Sequence, residues 1–97
     1  MKIETSEKIL DLTGQPIKLN ETDLTVGKVV AQILMAPRKD NSYLFDKVKL
    51  LILAQQFYKE EETEMDVVDV EKLIKMVETD ETWAPLITGR VLMSLKK

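Results

Sequence analysis

Gly27 and Lys28 stand at the head of an apolar run, TVGKVVAQIL (25–34), the order in which a phosphate loop enters its helix in nucleotide hydrolases. That chemistry requires a first glycine, four residues, then Gly-Lys and a hydroxyl. The glycines let backbone donors wrap the phosphates, and the hydroxyl holds magnesium. Here Thr22 occupies the first glycine position and Val29 the hydroxyl position. Two of four defining residues fail, and the segment reads as a capped amphipathic helix.

Other chemistries are as poorly supplied. The chain has no histidine and no cysteine, which removes the commonest general base and metal ligand together with thiolate nucleophiles and disulfides. Calcium loops place oxygen ligands at alternating positions around a central glycine and end in a bidentate Glu; EEETEMDVVDVE (60–71) shares only their charge. Any two of 17 acidic residues could in principle do acid-base work, but none stands among the glycines and aromatics that shape a pocket. The residues therefore argue against an enzyme, and they imply no cofactor and no metal.

The elements that must position any surface follow from periodicity. KILDL (8–12), TGQP (13–16) and IKL (17–19) predict a β-hairpin over 8–19 with Gly14 in its turn, followed by NETD (20–23) as a polar link. Residues 25–97 then read as helical. Thr25 is an N-cap, with Leu24 and Val29 as a hydrophobic staple. Val26, Val29, Val30, Ile33 and Leu34 form one helical face, and Pro37 stops the helix. A second helix is expected after RKDNS (38–42), running to about Lys59.

That second helix is apolar on two sides. Leu44, Val48, Leu51 and Ile52 make one stripe; Leu50, Leu53, Ala54 and Phe57 make another roughly opposite. Such a helix is central to its domain or shared with a partner. A third helix, capped by Asp66, turns Val67, Val70, Leu73, Ile74 and Val77 inward. The last begins near Trp83, tolerates Pro85 in its first turn, and carries Ile87, Val91, Leu92 and Leu95. Gly89 beside that face suggests close approach of another backbone. The fold class is α+β and mostly helical: an N-terminal hairpin on a bundle of three or four helices, in a single domain over 1–97.

Composition is that of a globular chain, 44% apolar and 32% charged. MKIETSEK lacks the apolar core of a signal peptide and the longest apolar run is LLILA (50–54), so a cytoplasmic protein with no membrane partner is expected. Net charge is −3, but between Glu60 and Thr82 ten acidic residues face two lysines, leaving the remainder net basic. The acidic segment suits either docking to a basic surface or plain solvation with carboxylates at a helix start. The best basic cluster, PRKDN with Lys47 and Lys49, does not form one stripe, because those lysines lie about 200° apart on a helix. Nucleic acid is thus not the expected partner.

Interaction with protein is what remains. Candidate interface residues are Leu50, Leu53 and Phe57 on the second helix, Glu60, Glu61, Glu62 and Glu64 in the acidic segment, and Trp83 as an aromatic anchor. Tyr43, Phe45 and Tyr58 could anchor an interface or close the core. A 97-residue domain has difficulty covering both sides of the second helix, so a homo-oligomer is expected.

In order and type, ILDLTGQPIKL, LTVGKVVAQIL, EMDVVDVEKLIKMV and APLITGRVL resemble a group of short, mostly uncharacterised proteins encoded by bacteriophages and prophages. The resemblance implies a small protein acting inside an infected bacterium, binding and modulating or inhibiting a host protein in an anti-defence or host-takeover role. The alternative it implies is a structural or assembly protein whose partner is itself or a virion component. It carries over no functional residues.

Overall fold

The computed structural model describes residues 1–38, 44–59 and 62–96. It has an α+β, mostly helical fold: β1 (Lys2–Ile3), β2 (Lys18–Leu19), β3 (Thr22–Asp23), α1 (Val26–Met35), α2 (Lys47–Tyr58), β4 (Thr63–Glu64), α3 (Val67–Glu78) and α4 (Pro85–Leu95).

The hairpin expected over 8–19 closes through a single bridge and two flanking backbone bonds, Asp11 N–H to Gln15 O and Ile17 N–H to Ile9 O, rather than through a ladder of paired strands. Leu10 bridges Pro16, and Gly14, at φ +87°, takes the left-handed conformation that its turn needs. Asp11 holds that turn: its carboxylate accepts from the Thr13 amide and hydroxyl and from the Gln15 amide at 2.6–3.0 Å. These bonds, the Thr13 hydroxyl foremost, lower the Asp11 pKa.

NETD is more than a link. Asn20 and Glu21 both adopt positive φ (52° and 67°), and the two-residue turn they make pairs β2 with β3 antiparallel. Three segments are then tied by a closed ring of backbone bonds: Ile9 N–H to Leu24 O, Leu24 N–H to Ile17 O, and Ile17 N–H to Ile9 O, at 2.8–2.9 Å. Lys8 pairs with Asp23 at 3.0 Å across the same ribbon and lowers the Asp23 pKa. The first residues also form a strand that periodicity does not reveal. β1 pairs antiparallel with β4, so the segment EEETE is partly sheet. Two-residue strands are too short to alternate visibly, and only the partner 60 residues away defines them.

The centre of the bundle is α1, not the second helix as its two apolar stripes suggested. Val26, Gly27, Val29, Val30, Ala31, Ile33 and Leu34 are all buried, and α1 packs on α2, α3 and α4. The Leu24–Val29 staple lies wholly inside. Gly27 is the point of closest approach: a Cβ there would fall on the Phe57 carbonyl oxygen and 2.8 Å from the Thr5 carbonyl oxygen. Gly89, expected to play this part, has nothing within 4 Å of a built Cβ.

The second helix starts at Lys47, later than its sequence suggested, because Asp46 caps it by accepting from the Lys49 amide. Asp66 caps α3 and Pro85 opens α4 at its first position, both as expected. Val67, expected inside, is 64% exposed, while Met76 takes a core position at 0%. As the first residue of α3, Val67 precedes the turn that meets the core. Phe45 is buried with the Lys49 and Lys72 ammonium groups 5.5 and 5.8 Å from its ring centre. Arg90 ties α4 to the hairpin, donating to the Leu10 and Asp11 carbonyls at 3.0 and 2.9 Å.

Candidate interaction surface

The start of α1 answers the question raised by Gly27-Lys28. A helix N-terminus binds anions through its unpaired amides. Here the Val26 amide donates to Glu7 O and the Gly27 amide to Thr5 O, both at 2.8 Å. The Lys28 amide donates to the Thr25 hydroxyl, and the Lys28 ammonium reaches Asp23 O. The chain's own carbonyls sit where phosphate oxygens would.

Three of the acidic residues are employed in structure. Asp66 caps α3, Asp69 binds Lys49 at 2.6 Å and raises its pKa, and Asp80 accepts from the Thr82 amide and hydroxyl and the Trp83 amide. Glu62 is exposed and pairs with Lys2 at 3.4 Å; Glu64 is exposed on β4. Glu60 and Glu61, like Tyr43, lie outside the described residues. Among the described residues no three acidic groups converge to hold a metal ion, and no helix is long and apolar enough to cross a membrane.

The interface expected on Leu50, Leu53 and Phe57 is corrected by their burial: they are 4%, 7% and 0% exposed, pressed into the core beside α1. The stripe left in solvent is the opposite one, with Val48, Leu51 and Ile52 at 68%, 50% and 49%. A signal for this choice was present. Continued along the helix, the Val48 side runs into Gln55 and Lys59, whereas Leu50, Leu53, Ala54 and Phe57 are uninterrupted by a polar residue.

Between α1 and α2 lies a concavity of about 300 Å³. Ala31, Met35, Leu51, Ala54 and Tyr58 form its apolar walls; Gln32, Gln55 and Lys59 supply polar edges. A second concavity, about 340 Å³, is lined by Gln32, Ala36, Thr82 and Trp83. Gln32 borders both, so the two lie on either side of one exposed edge of α1. Trp83, singled out from sequence as an anchor, is half-buried here, its ring packed on the core. Met35 and Gln32 were missed, since the position that a core helix leaves exposed depends on what surrounds it.

Neither concavity carries a carboxylate, and Lys59 is the one charged group among their linings. The arrangement offers apolar contact with amide and hydroxyl donors at the edge, which suits recognition of a protein side. No protein-family model, curated protein or solved structure matches this chain.

Proposed function

We propose that this chain is a non-enzymatic accessory protein that acts in the cytoplasm by binding another protein through the face formed by α1, α2 and Trp83. The observation that carries the reading is the pair of concavities meeting at Gln32, with Met35 47% and Tyr58 64% exposed at the rim. Large apolar and aromatic side chains left in water beside a concave apolar wall are the usual anatomy of a recognition surface. On the resemblance to short phage-encoded proteins, the partner is a bacterial host protein whose activity is modulated or inhibited. The assembly reading draws its support from the outward stripe of α2.

Matched baits test the proposal. Tagged wild-type protein and the Met35→Glu variant are expressed in the native cell and captured in parallel. Met35 is exposed, so the variant folds; a protein retained by the wild type and lost by the variant supports the reading. Identical captures from both baits refute this face as the binding surface.

A further inference from the structure

α1 and α2 run antiparallel, since a Cβ at Gly27, near the start of α1, would fall on the Phe57 carbonyl oxygen at the end of α2. The concavity between them is therefore a trough along the pair. Met35 and Leu51 stand at one end, Tyr58 and Lys59 at the other, and Ala31 and Ala54, 4% and 5% exposed, form the floor between. Charge is placed at one end only. Lys59 is the one charged residue of the lining, and among the described residues no carboxylate pairs with it, whereas Lys2, Lys8 and Lys49 each have one. Tyr58 brings a phenol donor to the same end. We infer that this trough binds an amphiphilic carboxylate of the fatty-acid class, with its chain on the alanine floor and its head at Lys59.

Dimensions and charge select this occupant. From Leu51 to Tyr58 the helix advances about 10 Å, roughly the span of an extended chain of eight carbons. A concavity of about 300 Å³ spread over that length has a cross-section of about 30 Å². A helix about 10–12 Å across needs some three times that section, so it can lie over the trough but not in it, whereas a single unbranched chain enters. The lining suits such a chain: apolar walls and floor, with neutral amides of Gln32 and Gln55 along the edges. The head must be an anion, because the only charge available to orient it is the Lys59 ammonium. This inference does not rest on the protein partner proposed above, so the two can fail separately.

Octanoate and octylammonium, the same chain with opposite heads, test the proposal in methyl-resolved NMR spectra at about 0.15 M salt. Octanoate is expected to shift the methyl signals of Ala31, Met35, Leu51 and Ala54, saturating with a dissociation constant below about 2 mM. Leu12 and Met93, 87% and 64% exposed and outside the trough, should stay in place. Octanoate is expected to bind ~10-fold more tightly than octylammonium, although a net charge of −3 favours the cation at long range. Lys59→Glu is expected to reverse that preference. Far-UV circular dichroism checks that this variant is folded; if it is not, Lys59→Gln replaces it and is expected to abolish the preference. The proposal is overturned by the absence of a saturable shift up to about 2 mM, by equal shifts at Leu12 and Met93, or by a preference for octanoate that the Lys59 substitution leaves unaltered. Each of those results leaves the matched-bait outcome intact.

Discussion

Replacing Gly27 by Ala adds a single methyl group where α1 meets two backbone carbonyl oxygens. The new carbon meets the Phe57 and Thr5 carbonyl oxygens, with the Thr5 Cβ 3.1 Å away. The oxygens belong to backbone, so neither can rotate aside as a side-chain tip would. Relief requires that the end of α2 or the Thr5 segment withdraw from α1. Withdrawal of Thr5 lengthens its 2.8 Å bond from the Gly27 amide. Overpacking of this kind costs about 1–3 kcal/mol, and loss of one backbone hydrogen bond adds about 1 kcal/mol. The better helix propensity of Ala returns at most ~1 kcal/mol. The net expectation is a loss of about 1–3 kcal/mol, a fall in Tm of roughly 5–20 °C for a domain of this size. Urea denaturation followed by far-UV circular dichroism measures it, with Gly89→Ala as the control of opposite sign. Gly89 lies inside α4 with open space around it, so Ala there should gain up to ~1 kcal/mol. If Gly27→Ala were as stable as the wild type, the close approach of α1, α2 and the Thr5 segment would be wrong.

Leu53→Glu, at a position only 7% exposed, should unfold the protein or leave it molten rather than yield a folded monomer; a cooperative thermal transition with native circular dichroism would contradict its place in the core. Asp11 and Asp23 both have pKa values held below 3.8, Asp11 by the hydroxyl of Thr13 and Asp23 by Lys8. Because the folded-state values are the lower ones, the stability these carboxylates contribute is complete above the unfolded-state value and is lost as pH falls through the folded one. Asp11→Asn should therefore flatten the fall in urea midpoint below about pH 4, and an acid limb identical to that of the wild type would refute the assignment. With the first amides of α1 already bonded to Glu7, Thr5 and Thr25, no magnesium-dependent ATP or GTP hydrolysis is expected; turnover abolished by Lys28→Ala would overturn that.

The amino-acid sequence by itself determined the local elements whose causes are local. Thr25, Asp66 and Pro85 mark three helix starts, because a cap or a fixed φ acts within one turn. The inward faces of α1 and most of α3 follow from a 3.6-residue period that one buried side imposes. The hairpin over 8–19 follows from turn chemistry around Gly14. What local causes could not reach, tertiary structure decided. β1 and β4 exist only as each other's partners across some 60 residues of chain. Gly27 and Gly89 are equivalent as letters in helical runs, and only the position of Phe57 and Thr5 makes one indispensable and the other idle. The two apolar stripes of α2 pose the same question for function. Periodicity shows that both exist, and Gln55 and Lys59 at the end of the Val48 side point to the other stripe as the inner one, but the burial itself depends on how the rest of the bundle packs. That choice places Leu50, Leu53 and Phe57 in the core and leaves Val48, Leu51 and Ile52 in water. Burial is a property of neighbours, and the neighbours of α2 are brought to it by the fold rather than by the chain on either side.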